Sequence, residues 1–133
     1  MPFFPSDEWI KAFADQVNRS AHTEFQAWQG DFYIVVLPEG TLTQSVYLYA
    51  DLHDGQCREA YVVQNAADKR PVYTLSAPLS IWRKIIQGKL HLTVAIARHQ
   101  VNVEGSTVKL LRNIKFVQAL LDHATRIPST FPE

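Results

Sequence analysis

Aspartate, histidine and cysteine crowd into one stretch of this sequence, Asp51-x-His53-Asp54-x-x-Cys57. Such side chains hold transition metals, and a thiol near an imidazole is the raw material of nucleophilic catalysis. The spacing supports neither. Zinc sites show paired ligands such as C-x-x-C or H-E-x-x-H, and the chain has no such pair. Asp54-Gly55 is a hairpin signal, which places Asp51 and His53 on one strand face and Asp54 at the tip. Cys57 starts the return strand beside Arg58, and nothing fixes one of the five histidines as its base. A half-buried structural thiol is expected there. No serine lies in G-x-S-x-G, no glycine loop resembles a phosphate cradle, and Asp122-His123 reads as polarity at a helix end. The expected protein is not an enzyme and has no metal site and no cofactor.

The elements that would position any site follow from periodicity. Ser6 caps a helix whose first turn holds Asp7 and Glu8 and whose stripe is Trp9, Ile10, Phe13 and Val17, ending near Asn18 to Ala21. Residues 22–29 read as a further short helix closed by Gly30. Asp31 to Leu37 is aromatic and β-branched with apolar residues on both faces, a strand covered on both sides. Ser45 to Leu52 and Cys57 to Asn65 alternate, and with the first strand they predict an antiparallel meander. Val72 to Ser76 is a fourth strand. Pro78 then sits in the first turn of a helix carrying Leu79, Trp82, Ile85 and Ile86, ended by Gly88. Leu92 to Ala97 is ambiguous, Gln100 to Glu104 alternates, and Ser106 caps one last helix with the stripe Leu110, Ile114, Val117, Leu121 and Ala124. The predicted fold is α+β with two layers: a five-stranded, mostly antiparallel sheet with helices packed on one face.

Composition bounds the setting. A chain of 133 residues fits a single domain, residues 1–133, and can bury roughly two thirds of its unfolded surface without a disulfide or metal. One cysteine excludes a disulfide framework, and the opening residues lack a basic, apolar leader, so a cytoplasmic setting is expected. Thirteen cations balance thirteen carboxylates, which argues against a nucleic-acid partner. The balance is uneven along the chain. Residues 1–68 hold three cations against ten carboxylates, and residues 69–133 hold ten against three. Arg83, Lys84, Lys89, Lys109, Arg112 and Lys115 fall off the apolar stripes, giving a solvated basic face able to meet an anionic membrane surface transiently.

The run Tyr73-Thr-Leu-Ser-Ala-Pro-Leu-Ser-Ile-Trp-Arg-Lys-Ile-Ile-Gln-Gly-Lys-Leu90, then Ala95-Ile-Ala, then Val101-Asn-Val-Glu-Gly105, resembles the sterol carrier protein-2 domain. The matching features are Gly88-Lys89-Leu90 closing a short helix and Gly105 before a long amphipathic one. Phe4-Pro-Ser-Asp-Glu-Trp9 and the strand at Asp31 to Leu37 look like the stand-alone microbial members, so the likeness covers nearly the whole chain. In one departure, the family commonly repeats Gly-Lys-Leu where this chain has His99-Gln100-Val101. Val101 keeps the inward apolar position, while His99 is expected to reshape the cavity mouth.

The resemblance implies an apolar tunnel between sheet and helices that takes sterol, fatty acid, acyl-CoA or phospholipid. By the same resemblance the lining would be Trp82, Ile86, Ile96, Val101, Val103, Leu110, Ile114, Val117 and Leu121. The expected partners are a hydrophobic lipid and an anionic membrane surface, with the chain a monomer or a homodimer. Domains of this kind also serve larger enzymes as accessory or dimerisation modules, so a closed core with no ligand is the alternative.

Overall fold

The computed structural model describes residues 1–19, 29–53 and 56–132, leaving out some side chains of the last two helices. The order is α1 (Asp7–Arg19), β1 (Gln29–Leu37), β2 (Val46–His53), β3 (Gln56–Val63), a single 3-10 turn (Ala66–Asp68), β4 (Tyr73–Pro78), α2 (Leu79–Ile86), α3 (Leu92–Ala97), β5 (Asn102–Glu104), α4 (Thr107–Arg112) and α5 (Ile114–Thr125). The five strands form one sheet in the order β3-β2-β1-β4-β5. Only the β1–β4 pair is parallel, because β4 returns beside β1 after the meander. The α+β expectation therefore holds, with β1 to β3 drawn from the acidic first half of the chain and β4 and β5 from the basic second half.

Period-two alternation sorts the strands into two faces. Phe32, Val36, Leu48, Ala50, Leu52, Cys57, Tyr73, Leu75 and Ala77 point into the main core under the helices. On the other face Tyr33, Val35, Tyr49 and Val63 make a second, smaller cluster. The chain after β3 folds over that cluster. The Tyr33 hydroxyl donates to the Ala66 carbonyl and accepts from the Lys69 backbone N–H, and the Lys69 ammonium lies 5.0 Å from the Tyr49 ring centre. This cover is why β1 is apolar on both faces.

Ser6 caps α1 by accepting the Trp9 backbone N–H, and the helix buries Trp9, Ile10, Phe13, Ala14 and Val17. Its two ends clasp the outer edge of β3. Asp7 accepts the Val62 N–H at 2.9 Å, while Asn18 accepts the Cys57 N–H at 2.7 Å and donates to the Cys57 carbonyl at 3.1 Å. Edge groups that would otherwise invite another strand are thereby satisfied.

Several boundaries differ from the sequence expectations. The short helix expected over 22–29 falls mostly outside the described residues, although Gln29 belongs to β1, and the Asp54-Gly55 turn also lies outside them. Pro78 is not in the first helical turn. Parallel pairing with Leu37 carries β4 through it, so it precedes α2 with extended backbone, and Glu39 accepts the Ser80 N–H instead. Leu92 to Ala97 resolves as a helix, and the strand expected from Gln100 shortens to three residues. The single last helix is two. Asn113 leaves helical geometry (φ −103°, ψ 53°) and its amide donates to the Lys109 carbonyl, a local bond that competes with helix continuation.

Candidate functional site

The residues that opened the sequence reading are held apart. Leu52 faces Cys57 and Asp51 faces Glu59, so Arg58 is the extra residue of a bulge. That bulge lets Arg58 reach the Asp51 carboxylate, with contacts of 2.9 and 3.0 Å. Cys57 points the other way, into the core, and burial pushes its thiol up to about 11. A thiol so rarely ionised at neutral pH is a poor nucleophile and a poor metal ligand. Among the described residues no group of three His, Cys, Asp or Glu side chains could hold a metal ion.

His123 corrects the reading of Asp122-His123 as helix-end polarity. Asp122 is exposed, but His123 is fully buried, edge-on to Phe13 at 6.4 Å between ring centres. The reason is spacing. Ala119 and His123 stand four residues apart on the inward side of α5, Ile127 follows four residues on, just past its end, and all three are buried.

The site with a shape of its own lies between sheet and helices. It is a cavity of about 50 Å³, walled almost wholly by carbon. Phe32, Ile34, Ala50, Leu52 and Leu75 of β1, β2 and β4 form its floor. Trp82, Ile85 and Ile86 of α2, Leu92 of α3 and Ala124 of α5 cover it, and Phe4, Trp9 and Phe13 close the remaining side. Both indole N–H groups in the wall are bonded elsewhere: Trp82 donates to the Val35 carbonyl at 3.0 Å and Trp9 to the Ser129 hydroxyl at 2.8 Å. An apolar void gives a water molecule none of the two to four polar partners it needs. Among the described residues its lining offers no acid, base or nucleophile.

Of the residues expected to line a cavity, Trp82 and Ile86 do so. Ile96, Val101 and Leu110 are buried in the same apolar cluster without reaching the wall of this cavity, and half-buried Val103 packs against that cluster. The side chains of Ile114, Val117 and Leu121 lie outside the described set. The sequence reading missed the strand floor, although its inward alternation was visible. It also missed Phe4, whose place depends on contacts with residues near position 130 that no local pattern announces.

The glycine motif has a structural meaning. Gly88 (φ +76°) ends α2 in a Schellman turn, with Gly88 N–H bonded to Ile85 O and Lys89 N–H to Lys84 O. The same turn recurs after α3, with His99 N–H to Ile96 O and Gln100 N–H to Ala95 O. There His99 takes φ +60°, the left-handed conformation that suits glycine. Its side chain is exposed and absent from the cavity wall, so the departure strains the backbone and does not shape this cavity. Gly105 (φ +113°) is required for space as well, since a Cβ there would stand 2.7 Å from Val72 O and 2.8 Å from the Tyr73 ring.

A model of the SCP-2 sterol transfer family matches residues 10–118. Solved structures share the fold. A crystal structure of sterol carrier protein 2 is 22% identical, with a TM-score of 0.81 over 92% of this chain and 97% of the other. The solution structure of a conserved hypothetical protein from Thermus thermophilus, described as a possible sterol carrier protein, is 23% identical, with a TM-score of 0.79 over 92% and 88%. A UbiJ-SCP2 ubiquinone synthesis protein is 21% identical, with a TM-score of 0.58 over 96% and 98%. No curated protein matches the chain.

Proposed function

The chain belongs to the SCP-2 sterol transfer family, and we propose that it binds a lipid by its hydrocarbon part in the space between sheet and helices and transfers it between membranes without catalysing a reaction. The observation that carries this reading is the all-carbon cavity under α2, α3 and α5, in which neither tryptophan N–H is left to recognise a headgroup. Each buried CH₂ contributes about 0.8 kcal/mol, so a long acyl chain needs few polar contacts. Sterol, fatty acid, acyl-CoA and phospholipid all present such hydrocarbon. Residues 1–133 act as one cytoplasmic carrier, alone or as a homodimer, and need no cofactor.

At about 50 Å³ the cavity is smaller than the roughly 150 Å³ void that accepts one benzene. Lipid entry therefore requires the walls to part. In the widened space Trp82 and Ile86 are joined in the lining by Ile96, Val101, Val103 and Leu110, with Ile114, Val117 and Leu121 from the last helix.

Arg83, Lys84, Lys89, Lys109, Arg112 and Lys115 are exposed on the helical side, and they supply the docking face for an anionic bilayer. A second reading keeps the small cavity closed, as an accessory or dimerisation module with no ligand. The same small volume favours it.

Titration with a fluorescent fatty acid separates the two. Saturable one-to-one binding, abolished by filling the cavity through Ala50→Phe, supports the carrier. A folded protein that binds no fatty acid at all supports the accessory module.

A further inference from the structure

Two of the residues closing the cavity, Phe4 and Trp9, are held in place by chain more than a hundred residues away. The Phe4 N–H donates to the Thr130 carbonyl at 2.8 Å, and the Thr130 N–H donates to the Pro2 carbonyl at 3.1 Å. The Trp9 indole donates to the Ser129 hydroxyl, which in turn donates to the Ile127 carbonyl at 2.9 Å. The Phe131 ring sits 5.9 Å from that of Phe4, with the Arg83 guanidinium 5.1 Å from its centre. The strap 127–131 follows directly on α5, whose Ala124 is another wall residue.

The remaining walls are anchored differently. The floor belongs to the hydrogen-bonded ladder of the sheet, and α2 is tied to β1 through Trp82 and Val35. Moving them breaks sheet contacts. Releasing Ser129 to Phe131 breaks three hydrogen bonds, the Phe4–Phe131 ring contact and the Arg83–Phe131 contact, while Ile127 stays buried in the core.

We propose that residues 129–131 are the latch of the cavity: while Ser129, Thr130 and Phe131 hold Phe4 and Trp9 the end is shut, and their release, with Ile127 as the buried anchor, opens the entry path for an apolar chain. This inference rests on the lipid-carrying reading above for its purpose, though not for its geometry. One hydrogen bond contributes about 0.5–1.5 kcal/mol net, so losing one latch contact is worth roughly a 2–10-fold change in the opening equilibrium.

The test uses the full chain, with cis-parinaric acid as the apolar probe in stopped flow and acrylamide quenching of tryptophan fluorescence on the lipid-free protein. Ser129→Ala and Phe131→Ala each loosen the latch, and Ser129→Thr keeps the hydroxyl. The expected result is association about 2–10-fold faster for Ser129→Ala and Phe131→Ala, with a parallel rise in quenching and neither change in Ser129→Thr. Circular dichroism confirms which variants are folded. Unchanged association and unchanged quenching in either folded variant overturn the latch. If the wild type takes up no fatty acid, the carrier reading fails separately, and quenching alone decides the latch: a rise upholds it and no rise rejects it.

Discussion

The clearest chemical statement at the scale of single residues concerns Cys57. Its thiol is buried and raised to about 11, so below that pH it is held protonated. A free cysteine titrates near 8.5, and the rise lowers the thiolate fraction at pH 8 by about 100-fold. Alkylation by iodoacetamide at pH 8, followed by intact mass, should therefore run about 100-fold slower in the folded protein than after unfolding in urea. Because the folded value is raised, the thiol favours the native state below about pH 8.5 and loses that contribution as pH climbs toward about 11.

Backbone strain gives a second residue-scale expectation. His99 holds φ +60° at a helix C-terminus, where a non-glycine residue costs roughly 1–2 kcal/mol and glycine loses about 0.5–1 in chain entropy. His99→Gly should raise stability by about 0.5–1 kcal/mol in urea unfolding. Gly105→Ala should lower it by more than that, because its Cβ would strike Val72 O and Tyr73. The sequence showed both positions as a family match and a family departure. The torsions supply the reason for each.

Among elements, the α1–β3 clasp makes its own prediction. Asn18→Ala leaves the Cys57 N–H and carbonyl without their side-chain partner, a loss of about 1–3 kcal/mol measurable by urea unfolding. At the other end of the clasp, hydrogen bonds from Lys11 and then Val62 hold the Asp7 carboxyl below its ordinary value. A lowered folded value means that its contribution is complete above about pH 4 and disappears as acid protonates it. Asp7→Asn should flatten the acid limb of the stability curve below about pH 4. The clasp was hidden in the sequence, since an aspartate at a first helical turn already has a sufficient local explanation. Strand and helix existence was legible because apolar period marks it. The break at Asn113 was not, because the stripe from Leu110 to Ala124 runs across it unchanged and only a side-chain bond to Lys109 betrays it.

Considered whole, the molecule is neutral but its charge is uneven along the chain. Most carboxylates fall in α1 and the β1–β3 half of the chain, while Arg83, Lys84, Lys109, Arg112 and Lys115 are exposed on α2, α4 and α5. If these cations dock on anionic bilayers, transfer of a fluorescent fatty acid between vesicles containing phosphatidylserine should slow sharply from low to physiological salt, where the Debye length is about 8 Å. Transfer indifferent to salt and to anionic lipid would reject the docking face. The layered architecture was readable from alternation and helix spacing, but the cavity was not, because periodicity marks an inward residue without saying whether its neighbour fills the space. The central claim is that this space carries lipid. Native mass spectrometry of the protein purified from cells, repeated after organic extraction, tests it most directly. The account predicts a one-to-one adduct of lipid mass that extraction removes and added fatty acid restores. A single apoprotein mass before extraction, unchanged after addition of fatty acid, would contradict it.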